Sequence, residues 1–164
     1  LRAMPLILQE NPNAKLVIVG RGHMKSSLEK NAKKLGISDS IHIQSSLSFE
    51  ELAQHFRSAD LVVYPSYYEG QGLIPLESLA SGTPVATVDQ EPLTEMVDDS
   101  VGGLFKRGEP EDLARCVNEM LASEDTAQKA ILGRERVLST YTYEHNASDY
   151  VAVFNRAIEK RSKK

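Results

Sequence analysis

Two carboxylates, Glu69 and Glu77, stand eight residues apart in the string PSYYEGQGLIPLESLASGTPV, Pro65 to Val85. Glu69 comes just after an apolar run of strand type, DLVVYPS, and Gly70 and Gly72 leave bare backbone around it. Amides pointing at open space ahead of a helix are what a phosphate-bearing ligand uses. Glu77 falls inside that helix, flanked by Leu76 and Leu79. A carboxylate there accepts two hydrogen bonds from a vicinal diol, such as that of a ribose. As two isolated acids the pair has a plainer reading, with Glu69 a loop acid and Glu77 a first-turn acid favoured by the helix dipole. A second glycine turn, VGRGHM (Val19 to Met24), follows an earlier apolar run. Gly20 and Gly22 permit close backbone approach, but Lys25 stands where the third glycine of G-x-G-x-x-G would be. A tight strand-to-helix turn is therefore the alternative to a dinucleotide site.

Both turns need strands that end at them. KLVIVG (Lys15 to Gly20) is a continuous apolar run stopped by glycine, the pattern of a strand buried on both faces. SIHIQ, DLVVYPS, TPVATV and GGLF read as four more short strands. Between them lie helical stretches. MKSSLEKNAKKLG closes on Gly36, and SFEELAQHFRSA opens with a Ser48–Glu51 capping box. GLIPLESLASG reads as a helix from near Pro75 to Gly82. PEDLARCVNEMLAS, a stretch from Asp125 to Ser139 and another over about 144–161 follow, and the chain opens inside a helix at Leu1. Strands separated by helices predict an α/β fold with a parallel sheet. In such sheets ligands bind beyond the strands' carboxyl ends, which is where Glu69 and Gly20 fall.

Composition narrows the classes. The chain has 164 residues, 41% hydrophobic and 26% charged, the make-up of an ordinary globular domain. The single cysteine, Cys116, excludes an internal disulfide framework, and its helical face with Leu113, Val117 and Met120 reads as core. A net charge of −4 gives no sign of broad nucleic-acid binding. No apolar run approaches the roughly 18 residues of a spanning helix, no signal peptide is evident, and a cytoplasmic address is the default. His23, His42, His55 and His145 are scattered, with no pair at metal-ligand spacing, and Asp89-Gln90-Glu91 is a poor outline of a metal site. Tyr67 and Tyr68 either wall a ligand site or cover the strand end.

Taken whole, the string from Pro65 to Val85 resembles the signature of retaining glycosyltransferases of family 4, enzymes of the GT-B fold. Pro65, Ser66, Glu69, Gly70, Gly72, Leu73, Glu77, Gly82, Pro84 and Val85 match it, with the E-x7-E spacing. LVIVGRG, HIQSSLSFEELAQHFRSADLVVYPS, VGGLFKRGEPEDLARCVNEML and the closing YTYEHNASDY match in order, so the likeness covers nearly the whole chain.

The resemblance implies a Rossmann-like, three-layer C-terminal half of a GT-B enzyme, one nucleotide-sugar-binding domain over 1–164 of a larger protein. It implies that Glu69 contacts hydroxyls of a transferred hexose-type sugar, with the backbone of Gly70, Gln71, Gly72, Leu73 and Ile74 on sugar and diphosphate. Glu77 would then hold the ribose, Gly20 and Arg21 border the diphosphate, and the backbone near Leu47 meet the base. No metal is needed, because helix dipole and cationic side chains offset the leaving diphosphate. The implied partners are a nucleoside-diphosphate sugar, a glycan or lipid-linked acceptor, and an N-terminal domain of the same enzyme. Peripheral contact with the cytoplasmic membrane face is a further expectation, from Lys25, Lys30, Lys33, Lys34 and the KRSKK tail, which otherwise read as solvated faces. Four positions depart from the family: Gln71 replaces an aromatic, Arg21 a frequently acidic residue, Ser45 a glycine, and the proline after Leu73 comes one place late. Arg21 either adds a cation at the phosphates or pairs with Glu29. The family's first strand, with its Arg and downstream Lys, has no counterpart here; by analogy it would lie between LVIVG and LVVYP. The alternatives are a nucleotide-sugar epimerase of the same fold and a non-catalytic flavodoxin-like module; the E-x7-E spacing and the lack of a paired acid cluster argue against them.

Overall fold

A computed structural model of the chain describes residues 1–162; the end of the charged tail, Lys163 and Lys164, lies outside them. Strands and helices alternate: α1 (Met4–Glu10), β1 (Leu16–Val19), α2 (Lys25–Lys34), β2 (Ile41–Gln44), α3 (Phe49–Ser58), β3 (Val62–Tyr64), α4 (Leu73–Ala80), β4 (Val85–Val88), α5 (Leu93–Met96), β5 (Gly102–Phe105), α6 (Pro110–Ala122), α7 (Thr126–Thr140) and α8 (Tyr143–Ser162). Every pairing is parallel. β1 runs beside β2 with Leu16 opposite Ile41, while β4 lies between β3 and β5 with Val85 opposite both Val62 and Gly102.

The strands form two sheets, β1–β2 and β3–β4–β5, and among the described residues no hydrogen-bonded strand bridges β1 and β3. β1 is not buried on both faces, because Val17 and Val19 are 43% and 39% exposed, and its burial alternates. The strand enclosed throughout is β4, whose four residues are all buried.

The main core gathers on that three-stranded sheet: Leu79 from α4, Leu93 and Met96 from α5, Val85 and Val88 from β4, Phe105 from β5, and Cys116 and Met120 from α6. Burial pushes the Cys116 thiol up to about 11, so it is an inert core group. A smaller cluster joins α1 to α6 through Met4, Ile7, Ala114 and Val117, with Leu16, Ile41 and Val63 against it.

Local chemistry explains several element ends. The α3 capping box forms in full: the Glu51 amide donates to the Ser48 hydroxyl at 3.2 Å and the Ser48 amide to the Glu51 carboxylate at 2.7 Å. α4 starts at Leu73, two residues before the expected Pro75. Gly72, at φ 82°, turns the chain straight into the helix, and Pro75 sits in the first turn, where its missing donor costs nothing. Past its C-terminal end, Gly82 at φ 79° brings the chain round, and its amide bonds to the Leu79 carbonyl at 2.9 Å.

Candidate functional site

Because the strands are parallel, the three loops leaving the carboxyl ends of β3, β4 and β5 share one end of their sheet. The β3 loop carries Glu69, and Tyr64, the last residue of β3, fixes it. Its hydroxyl donates to Glu69 Oε2, and the Gly70 amide donates to Oε1 at 3.1 Å. The Tyr64 hydrogen bond, with the amides of Gly70, Gln71 and Gly72, outweighs partial burial and holds the Glu69 carboxyl below the usual carboxylate range. Burial first, and then the bond to Glu69, pushes Tyr64 above its ordinary value. Glu69 is thus an ionised acceptor held at a run of three successive amides.

The glycines around it do different work. At Gly72 a Cβ would stand 2.7 Å from Leu93 Cδ2 and 2.9 Å from Met96 Cε, so Gly72 lets the loop lie close on α5. At Gly70, Gly20 and Gly22 a Cβ would meet nothing within 4 Å, and none has a positive φ. Nothing inside the chain requires glycine at those three places. Downstream, Gln71 and Leu73 are exposed and Ile74 half-buried. Glu77, one turn into α4, is accessible, yet partial burial raises its carboxyl above the ordinary value, and it has no hydrogen-bond or ion-pair partner among the described residues.

The glycine turn and Leu47 sit at the carboxyl end of the other sheet. The Gly20 amide extends the β1–β2 ladder, donating to the Gln44 carbonyl at 3.0 Å. Arg21 is exposed and forms no ion pair with Glu29 among the described residues. Leu47, half-buried, precedes the α3 capping box. No hydrogen bond or ion pair among the described residues joins this group to the Glu69 loop. No group of three or more His, Cys, Asp or Glu side chains suited to a metal ion occurs among the described residues.

Two residues of this end escaped the sequence reading. Arg107, past β5, donates through Nη1 to the Tyr67 carbonyl at 3.3 Å and to Gln90 Oε1 at 3.5 Å. Gln90, past β4, donates to the Tyr67 carbonyl at 3.2 Å. The Arg107 guanidinium lies 5.6 Å from the Tyr67 ring centroid and 6.0 Å from that of Tyr68, within cation–π range. Their signal was positional: both stand just beyond strand ends, where ligand-site loops begin.

Comparison with known proteins agrees with this architecture. The family described as glycosyl transferases group 1 matches residues 1–135, and the chain belongs to it. It is 32% identical over 161 residues to an uncharacterized glycosyltransferase of Methanocaldococcus jannaschii, covering 97% of this chain and 41% of that protein. It is 32% identical over 157 residues to the D-inositol 3-phosphate glycosyltransferase of Stackebrandtia nassauensis, covering 92% of this chain and 35% of that one. The chain therefore spans about two fifths of the length of these relatives. Among solved structures it superimposes on the C-terminal domain of a glycosyl transferase group 1 family protein from Francisella tularensis with a TM-score of 0.77 and 25% identity, covering 87% of this chain and 77% of that one. The fold is that of the C-terminal, Rossmann-like half of a GT-B glycosyltransferase.

Proposed function

We propose that this chain is the donor-binding domain of a retaining glycosyltransferase that moves a hexose-type sugar from a nucleoside diphosphate to a glycan or lipid-linked acceptor. The observation that carries the reading is the Glu69 loop: an ionised carboxylate anchored by Tyr64, three successive amides beside it, and open space at Gly70. In this reading Glu69 takes hydroxyls of the sugar. The backbone of Gly70, Gln71, Gly72, Leu73 and Ile74 takes sugar and diphosphate, the amides that hold Glu69 turning to the ligand as its carboxylate turns to the sugar. Preorganised donors at that position stabilise the charge that develops as the bond to the sugar breaks. They and cationic side chains, Arg21 among them, take the place of a bound metal.

Glu77 takes the ribose diol. Its lack of a partner leaves both carboxylate oxygens available as acceptors. Gly20 borders the diphosphate and the backbone near Leu47 meets the base. The acceptor, an N-terminal domain facing the site and peripheral attachment at the cytoplasmic membrane face belong to the proposal for the whole enzyme. No helix of the described residues is long and apolar enough to cross a membrane. This chain by itself is expected to bind donor without turning it over.

A calorimetric panel of UDP, GDP and ADP tests the reading. One nucleotide is expected to bind, with about tenfold loss in Glu77→Ala, equivalent to about 1.4 kcal/mol. Binding that the variant leaves undiminished, or no binding both to this chain and to one extended at its amino end, would overturn it.

A further inference from the structure

The 65–72 loop has little packing of its own. Tyr67 is 51% and Tyr68 88% exposed, and the internal bonds of the loop are few: Ser66 Oγ to the Tyr68 carbonyl at 3.1 Å, and the Glu69 contacts. Ordering exposed backbone costs conformational entropy, so a loop held in one arrangement needs an outside restraint. The structure supplies it from two other strand ends. Gln90 Nε2 reaches the Ser66 carbonyl at 3.5 Å and the Tyr67 carbonyl at 3.2 Å, and Arg107 reaches the Tyr67 carbonyl and Gln90 Oε1. The Arg107 guanidinium also covers both tyrosine rings. Gly108, at φ 80°, lets the chain pass beneath, and a Cβ there would stand 3.3 Å from the Tyr67 hydroxyl.

We infer that Arg107 is a positioning residue which, with Gln90, clasps the Glu69 loop from the ends of β4 and β5 and so sets the backbone of Gly70, Gln71 and Gly72. Its consequence for ligand rests on the donor-site reading above; the clasp itself does not. A plain electrostatic role, a cation near a bound anion, predicts a different pattern, because Gln90 carries no charge.

The test compares the wild-type chain with Arg107→Ala, Arg107→Lys and Gln90→Ala by 15N relaxation and by calorimetry. Both side chains lie outside the core, so all four proteins are expected to melt at closely similar temperatures. In Arg107→Ala and Gln90→Ala the order parameters of Gly70, Gln71 and Gly72 are expected to fall from about 0.85 toward 0.6 or below. Arg107→Lys keeps a donor and a charge but loses the planar stack over two rings, and is expected to lie between. Both alanine variants are expected to lower the preference for a nucleoside diphosphate over its monophosphate about fivefold, using whichever of UDP, GDP and ADP binds wild type; general destabilisation weakens both ligands alike. Unchanged order parameters in Arg107→Ala overturn the clasp. So does weaker diphosphate binding in Arg107→Ala with Gln90→Ala unaffected. Loosened amides where neither this chain nor one extended at its amino end binds a nucleotide keep the clasp and remove the donor-site reading instead.

Discussion

β1 reads LVIV and β4 reads VATV, yet the more apolar of the two is the more exposed. β4 has a hydrogen-bonded neighbour on each side and lies in the main core beside Leu79, Leu93 and Val101. β1 has one neighbour, and half of its side chains reach solvent. The contrast extends to polar groups. Thr87 in β4 is fully buried and donates to the Tyr64 carbonyl at 3.2 Å. Gln44, closing β2, turns its side-chain oxygen inward with no donor facing it among the described residues. An unmet buried acceptor costs about 1–3 kcal/mol. Burial of a strand is thus decided by its neighbours, and an apolar run reports only that it can be buried. The completed sheet is also the one whose strand ends hold the Glu69 loop.

The largest effect separates the two halves by stability. Leu79→Ala removes a fully buried side chain from the three-stranded half and is expected to lower unfolding free energy by about 3 kcal/mol. Val17→Ala, in the two-stranded half, is expected to cost under about 1 kcal/mol. Denaturant midpoints measure both, and equal losses would erase the comparison.

An intermediate effect comes from Arg136 on α7, which ties down the turn between α5 and β5. It donates to the Met96 carbonyl at 3.2 Å and to Asp98 Oδ2 at 3.0 Å. Hydrogen bonds from Ser100 first, and then from Arg136, hold the Asp98 carboxyl below the usual range despite some burial. A depressed carboxylate stabilises the fold above its unfolded pKa, and that stability is lost as pH falls through the depressed folded value. Arg136→Ala is expected to cost about 1–2 kcal/mol at neutral pH, with the gap to wild type narrowing in acid. Thermal melts from pH 7 down to pH 3 check this; a gap that widens on acidification would contradict it.

The smallest effect sits in the site. Tyr64 titrates above an ordinary tyrosine, first through burial and then through its bond to Glu69. The associated stability is complete below the unfolded tyrosine pKa and is lost as pH rises through the raised folded value. Removing the negative charge in Glu69→Gln is expected to bring the Tyr64 ring-carbon titration part of the way back, burial keeping the rest. An unmoved midpoint would mean that the two side chains are not coupled.

Much of this was legible because it is local. The Ser48–Glu51 capping box, the alternation of strand and helix, and the core face through Cys116 each need only a few neighbouring residues, and each appears. The family signature placed Glu69 beside its amides. What escaped depends on distant parts of the chain. The start of α4 is set by Gly72, which must be glycine to lie against Leu93 and Met96. The four-residue α5 is too short to show a period and is held by that same contact. Arg107 meets Tyr67 across 40 residues, a pairing that no spacing rule announces. The exposure of Val17 and Val19 follows from which strands flank β1, which its own residues do not encode.

In the proposed reading the amides beside Glu69 receive the donor's diphosphate. The direct measurement is an amide 1H–15N titration of this chain with UDP, GDP and ADP. The binding nucleotide is expected to shift the resonances of Gly70, Gln71 and Gly72 most strongly, with Gly20 moving alongside them. Saturable binding that leaves those three amides in place while others move would contradict it.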